Sequence, residues 1–382
     1  MIIAFCIYKY FPFGGLQRDF MRIAKMFATN GHNVRVYTQS WKGPCPLILE
    51  KVEVPIKSYT NHSRNYEYYT WVQSHLQQYP VDRVFGFNKI PGLDFYYAGD
   101  VCYAEKVKCQ KNFLYRLTRR YKHYLNFEKS IFKVGAKTQL FMLTDKQIYD
   151  FKKHYQTESN RFYLVPPSIL PDRHHSQQIL NARNIYRKKN SIGIKQNLIL
   201  QVGSDFARKG VDRTIIAFAA LPDEIRYKSV LFIVGQDNPK RYQVLANILG
   251  VGSNIHLFAG REDISELMTA ADILLHPAYQ EAAGIVILEA IVAGLPVIAT
   301  SVCGYAHYIN QACCGVIIKD PYNQKTFNHV LYNSLMDQDL RDTWVSNARD
   351  FSKKNNLCNL PEKILKIIEG DVYDTATLIP HV

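Results

Sequence analysis

Short unbroken apolar runs alternate with apolar stripes at helical spacing along this chain. Residues 2–7 form the first run, and its lack of polar alternation predicts a strand covered on both faces. Leu16, Phe20, Ile23, Ala24 and Phe27 then fall on one helical stripe, with Gly31 where that helix would end and a strand at 34–37. Further strands are predicted at 83–87, 138–143 and 162–165, with helices between them. This alternation predicts a parallel sheet wrapped by helices. Pro166 and Pro167 interrupt it, and a polar, basic stretch runs to about Gln196. A second series follows, with strands at 197–202, 230–235, 255–258, 273–276 and 296–300. Its helices are predicted at 211–221, 243–249, 263–271 and 284–293, and a last amphipathic helix at 361–369 packs back on the body. The expected fold class is α/β, with two tandem Rossmann-like domains over 1–166 and 167–355, and the closing helix within 356–382. Such sheets bind ligands outside the carboxyl ends of their strands, here facing a cleft shared by the two domains.

Composition adds a partner to this picture. The 382 residues are about two domains' worth, and 47 Lys+Arg against 33 Asp+Glu give a net charge of +14. Such an excess calls for an anionic partner. Residues 103–132 concentrate it: Lys106, Lys108, Lys111, Arg116, Arg119, Arg120, Lys122 and Lys129 stand against Glu105 and Glu128 alone. Tyr103, Phe113, Tyr115, Tyr121, Tyr124, Phe127 and Phe132 are interleaved with them. A basic, aromatic amphipathic helix suits an anionic bilayer surface, each basic residue near it adding about 1 kcal/mol. Lys106, Lys108, Lys111, Arg116, Arg119, Arg120 and Lys122 are the expected membrane contacts. The competing account is a solvated helix whose aromatics belong to the core. No nucleic-acid motif is present, so nucleic acid is not an expected partner.

Two further patterns narrow the class. The eight cysteines show no C-x-x-C pair and no metal spacing, which predicts reduced core thiols. The 282–300 window is apolar enough to raise the question of a membrane span. Glu289 near its middle and Pro296 after Gly294 predict instead a helix, a turn and a strand.

The chemistry concentrates in three loops. Glu281-Ala282-Ala283-Gly284-Ile285-Val286-Ile287-Leu288-Glu289 follows a strand and opens a helix. The first amides of a helix have no internal partners and attract phosphate. Ala282, Ala283 and Gly284 let a ligand approach them, Glu281 can accept from sugar hydroxyls, and Glu289 can reach a ribose diol. Gly203-Ser204-Asp205-Phe206-Ala207-Arg208-Lys209-Gly210 places Arg208 and Lys209 to offset charge on a departing diphosphate. Phe11-Pro12-Phe13-Gly14-Gly15-Leu16-Gln17-Arg18-Asp19 offers glycine backbone at the first helix start. It is not G-x-G-x-x-G, which counts against a dehydrogenase.

Glu281 and Glu289, eight apart around a small-residue helix start, resemble the paired-glutamate signature of retaining glycosyltransferases built from two Rossmann-like domains. The Arg208-Lys209-Gly210 and Gly14-Gly15 loops resemble that family's other phosphate elements. The segments 4–6, 8–20, 37–41 and 276–280 resemble the bacterial transferases that glucosylate the lipopolysaccharide core, a likeness running over essentially the whole chain. The resemblance implies UDP-glucose as donor, an inner-core heptose of lipopolysaccharide as acceptor, and retention at the anomeric carbon. It assigns Glu281 and the amides of Ala283 and Gly284 to glucose, Glu289 to ribose, and Gly15, Arg208, Lys209 and Ile285 to the diphosphate. Arg173 matches a further donor position, and Asp19 and Asp100 match carboxylates near the sugar or acceptor. Other members carry a glutamate where this chain has His307. Retention can come from two inversions through a carboxylate or from attack on the leaving group's face. No D-x-D motif of the metal-dependent transferases lies in these three loops, so no metal and no other cofactor is expected. A glycolipid acceptor implies a peripheral position on the cytoplasmic face of the inner membrane. An epimerase on the same fold and a non-catalytic binder of anionic lipid are the rival readings.

Overall fold

A computed structural model describes residues 1–12, 14–110, 113–167, 169, 179–355 and 359–370. Its chain divides into two compact units, Met1–Ser168 with Asn359–Val382, and Ile169–Cys358.

In the first unit the opening strand β1 (Ile2–Cys6) is buried from Ile3 onward and lies inside a seven-stranded sheet. The chain continues through β2 (Lys9–Tyr10), α1 (Gly15–Thr29), β3 (Asn33–Thr38), β4 (Ser40–Trp41) and β5 (Leu49–Glu53). Then come α2 (Asn61–Gln78), β6 (Arg83–Gly86), β7 (Phe95–Tyr97), α3 (Tyr103–Gln110) and α4 (Arg119–Phe132). β8 (Gln139–Met142), α5 (Asp145–Tyr155) and β9 (Phe162–Leu164) complete the unit's first stretch. The sheet order is β5-β3-β1-β6-β7-β8-β9, and every pairing is parallel. Phenylalanine rings from β1, α1 and β6 interlock beneath it, with Phe5 against Phe27 at 5.6 Å and Phe20 against Phe87 at 5.1 Å. β5 escapes the apolar pattern because it is an edge strand with Glu50, Lys51 and Glu53 outward, and β7 because it has only three residues. The last helix, α15 (Leu360–Glu369), packs on α1, with His32 Nε2 2.8 Å from Glu369 and Lys363 donating to the Leu164 carbonyl.

The second unit runs α6 (Ile179–Lys189), β10 (Asn197–Val202), α7 (Val211–Ala219), α8 (Asp223–Arg226), β11 (Ser229–Val234) and α9 (Lys240–Ile248). β12 (Ile255–Phe258), α10 (Ile264–Ala270), β13 (Ile273–His276), α11 (Ile285–Val292) and β14 (Val297–Thr300) follow. α12 (His307–Gln311), β15 (Gly315–Ile318), α13 (Gln324–Met336) and α14 (Gln338–Lys354) close it. The parallel sheet has the order β12-β11-β10-β13-β14-β15. The 282–300 apolar run divides between α11, buried from Val286 to its end including Glu289, and β14. No described helix is long and apolar enough to cross a membrane. Cys6, Cys102, Cys303 and Cys314 are buried thiols, while Cys45 is half-buried and Cys313 exposed. Cys358 lies outside the described residues.

The basic stretch 103–132 is not the single helix its pattern predicts. α3 ends at Gln110, a 3-10 turn covers Phe113–Leu117, and Thr118 caps α4 by accepting from the Tyr121 amide at 3.1 Å. The two helices are tied together inside the unit. Glu128 on α4 is fully buried and accepts from Lys89 Nζ and the Tyr103 amide at 2.6 Å, Tyr155 Oη at 2.6 Å and the Ala104 amide at 2.9 Å. It thereby accepts from the first amides of α3 and ties that helix to α4. Burial alone would raise its pKa, but Lys89 and these hydrogen bonds hold it below the usual carboxylate value. Glu128 is therefore a core group and does not offset the surface charge as composition suggests.

Glu128→Ala leaves Lys89 charged without its carboxylate and should cost about 3–5 kcal/mol in urea unfolding. Adding Lys89→Met to that variant should recover part of the loss, since the cost lies in the uncompensated charge.

Candidate active site

In the second unit the chain leaves β10 for β11 and β12 on one side, then returns to β13, β14 and β15 on the other. The carboxyl ends of β10 and β13 flank that reversal, where open α/β sheets bind ligands. The loops leaving these two strands are 203–210 and 277–284, the two strongest motifs of the sequence. Lys209 Nζ bonds Glu281 Oε2 directly, and Arg208 Nη1 donates to the same oxygen at 3.1 Å. Arg208 also donates to the Gln280 carbonyl at 3.2 Å and to Asp205 at 2.9 Å. His276, the last residue of β13, is fully buried with Nε2 3.7 Å from Glu281 Oε2. Burial would raise the Glu281 pKa, yet Lys209, His276 and Arg208 hold it well below the ordinary carboxylate range. Burial and the neighbouring Lys209 lower the His276 pKa as well, favouring the neutral imidazole. The cluster is an anionic carboxylate between two cations.

Backbone geometry brings the loops this close. Gly210 has φ +69°, and a Cβ there would lie 2.1 Å from the Pro277 carbonyl oxygen. The Tyr279 amide donates to the Arg208 carbonyl at 2.9 Å, and Gln201 Nε2 holds the Lys209 carbonyl at 2.8 Å. Gly284, with φ +86°, turns the second loop into α11. Ala282 and Ala283 keep side-chain bulk away from that helix start, whose first amides have no intrahelical acceptor. Glu289 follows Ile285 by four residues and so lies on the same side of α11.

Arg213 on α7 escapes the motif reading. Its guanidinium is sandwiched between the rings of Tyr279 at 3.6 Å and Tyr322 at 3.7 Å. It donates to the carbonyls of Pro277 at 3.1 Å and Ala278 at 3.2 Å, and Thr300 Oγ1 also donates to Ala278 at 2.8 Å. Arg213 fixes the backbone just before Glu281. The only sequence signal is a basic residue one turn after Gly210, and its partner Tyr322 lies over a hundred residues away.

In the first unit Gly15 is the first residue of α1, and Asp19 one turn later accepts from Tyr97 Oη at 2.7 Å. Gly14 has an extended φ of −85°. A Cβ on it would lie 1.9 Å from Gln17 Oε1 and 2.8 Å from the Phe11 ring, so those side chains pack closely against the glycine. Asp100 is exposed after β7 and borders a cavity of about 580 Å³ that Lys106 and Arg120 also line. Lys108, Arg116, Arg119 and Lys122 are exposed. His307 is exposed at the start of α12, Nδ1 3.0 Å from the Gly304 carbonyl. Arg173 and Lys111 lie outside the described residues. Among the described residues no cluster of His, Cys, Asp or Glu is arranged to hold a metal ion.

Residues 182–351 match the family model described as glycosyl transferases group 1. The chain is 62% identical over 370 residues to the lipopolysaccharide glucosyltransferase WaaG of Escherichia coli (strain K12), covering 97% of this chain and 99% of that one. It is 26% identical over 249 residues to a D-inositol 3-phosphate glycosyltransferase of Xylanimonas cellulosilytica, covering 64% and 58% of the two chains. The crystal structure of WaaG, a glycosyltransferase involved in lipopolysaccharide biosynthesis, superposes with a TM-score of 0.95 at 62% identity, covering 96% of this chain and all of that one. The Anabaena protein HepE, solved in complex with UDP-glucose, shares the fold at a TM-score of 0.73 and 16% identity, covering 97% and 100%.

Lys209→Met should lower stability by about 3 kcal/mol at pH 7, read as the urea midpoint, because Glu281 loses its nearest cation while still buried. The folded Glu281 pKa is depressed, so its pairing stabilises fully above the unfolded value of about 4.3 and is lost as pH falls through the folded one. The gap between wild type and variant should therefore narrow on acidification below that pH.

Proposed function

The chain belongs to the group 1 glycosyltransferases that act in lipopolysaccharide synthesis, and from this premise we propose that it transfers glucose from UDP-glucose to an inner-core heptose with retention. The observation that carries the reading is the Lys209–Glu281–Arg208 cluster at the sheet's reversal point, beside a helix start lined by alanine and glycine. Glu281 and the amides of Ala283 and Gly284 hold the glucose hydroxyls, and Glu289 holds the ribose. Arg208, Lys209 and the Ile285 amide meet the diphosphate, with Gly15 and Arg173 as further donor contacts. Lys209 has three ammonium hydrogens and Glu281 takes one of them.

Breaking the glycosidic bond builds positive charge on the sugar and negative charge on the diphosphate. Fixed cations and helix amides already aimed at that oxygen need no reorganisation as the charge grows. They supply what a metal supplies elsewhere, so the transfer runs without one. Glu281, bound to two cations and held strongly acidic, is a poor nucleophile, which favours attack on the leaving group's own face over two inversions. In that route the phosphate oxygen takes the acceptor's proton, and Asp19 and Asp100 orient the acceptor. No observation favours the epimerase or the non-catalytic reading.

A glycolipid acceptor brings the enzyme to the cytoplasmic face of the inner membrane. The turn between α3 and α4 suits that role. Phe113, Leu114 and Leu117 are 71%, 68% and 64% exposed, and Arg116, Arg119 and Lys122 stand exposed around them. Apolar side chains ringed by cations fit an anionic interface.

Labelled glucose should pass from UDP-glucose to lipopolysaccharide truncated after its heptoses, and Glu281→Ala should cut the rate at least about a hundredfold. Absence of transfer by wild type from any nucleotide-glucose would remove the reading. Replacing Arg116, Arg119 and Lys122 together by glutamine should weaken binding to anionic vesicles on the order of a hundredfold, in a salt-dependent way. Unchanged vesicle flotation would place the interface elsewhere.

A further inference from the structure

Packing alone does not account for His276 at the end of β13. Ile273, Leu274 and Leu275 before it are buried apolar side chains, and His276 is fully buried as well. Neither of its ring nitrogens meets a hydrogen-bond partner among the described residues. A buried polar group left unpaired costs free energy that an apolar side chain at the same strand end would avoid. The imidazole lies close to the chemistry, however. Its Nε2 is 3.7 Å from Glu281 Oε2, beyond hydrogen-bond distance but within reach of a small adjustment. The backbone between the two residues is held, since Arg213 donates to the carbonyls of Pro277 and Ala278 and Thr300 donates to the latter again. The terminal torsion of a glutamate is soft by comparison, and rotating it moves Oε2 without moving the loop.

Two cations hold that oxygen in this structure. Lys209 bonds it directly, and Arg208 donates to it at 3.1 Å. The same two side chains are those assigned above to the diphosphate, and a cation that turns toward phosphate draws away from the carboxylate. Glu281 needs to be held still at that moment, because its task is then to accept from glucose hydroxyls. We propose that His276 is a positioning residue for Glu281: with the donor bound, it donates from Nε2 to Oε2 as the cations turn away, and so fixes the carboxylate against the sugar. A neutral imidazole suits this task better than a third cation. Burial and Lys209 favour the neutral ring, so its hydrogen bond orients the carboxylate and leaves the negative charge to the sugar hydroxyls. The proposal rests on the glucosyltransferase reading and deepens it, because it adds a residue that acts through Glu281 and not on the donor itself.

The test uses the full chain, with UDP and UDP-glucose as separate probes. His276→Phe keeps a buried ring without a donor, whereas His276→Gln keeps an N–H at the same bond count from Cα. With UDP alone, water can meet the freed carboxylate, so His276→Phe should change the Kd for UDP by less than about threefold. It should raise the Kd for UDP-glucose and lower kcat by about tenfold or more each, the usual effect of losing a hydrogen bond to a charged group. His276→Gln should recover most of both losses. Adding His276→Phe to Glu281→Ala should cost little beyond Glu281→Ala alone, since His276 acts only through that carboxylate. A second measurement does not need the Phe variant to fold. In wild type labelled at histidine, the His276 Nε2 proton, identified by its loss in His276→Gln, should move downfield on saturation with UDP-glucose. Equal losses of affinity for UDP and UDP-glucose, no recovery in His276→Gln, additive losses in the double variant, or an Nε2 proton unmoved by the donor would each overturn the proposal. Failure of wild type to bind UDP-glucose at all would overturn the parent reading, a separate result.

Discussion

Glu281 and Lys209 are seventy-two residues apart and bonded to one another, and the second unit is organised to permit that contact. β10 and β13 must be neighbours in the sheet although two strands intervene in sequence. Gly210 must be glycine, because the Pro277 carbonyl occupies the space a side chain would take. Arg213 must hold that carbonyl from behind, between two tyrosine rings. A buried carboxylate is costly to desolvate, and burial is the largest single influence on this one. The cations that offset this cost are those proposed to meet the diphosphate, so on that reading one arrangement of charge serves the fold and the reaction.

The same topology occurs twice, with different content. Each sheet starts in its interior, extends to one edge, then returns past its own first strand to build the other side. Each reversal leaves two loops facing one another. In the second unit these loops carry cations, a carboxylate and small residues at a helix start, which suits a nucleotide sugar. In the first they carry Tyr8 and Asn88, bonded to one another beside a cavity that α3 and α4 also line.

What the sequence made legible follows from how local each signal is. Fully buried strands such as β1, β10 and β14 announce themselves as apolar runs, and the Glu281 and Arg208-Lys209 motifs stand out because charge in so apolar a setting needs a reason. β5 and β7 were hidden, one by the polar side chains of an edge strand and the other by its length. Arg213 was hidden because its role comes from rings contributed by two distant loops. Gly14 was legible as a residue, while the close packing of Gln17 and Phe11 against it was not. The basic stretch was legible as a cluster of charge, but the bonds of Glu128 to Lys89 and Tyr155 depend on residues outside the stretch.

That dependence has a consequence for the basic stretch as a physical object. It is tied from outside by two side chains, one on the loop after β6 and one on α5, each bonded to a carboxylate that the stretch itself supplies. A peptide spanning only 103–132 would leave both partners behind. It would free Glu128 into water and remove the tie that holds α3 at an angle to α4. Such a peptide could still wind into a helix on a lipid surface, guided by its charge and aromatic content alone. It would then report the affinity of a composition, whereas the intact protein presents a folded corner whose apolar tip and cationic flanks have fixed spacing.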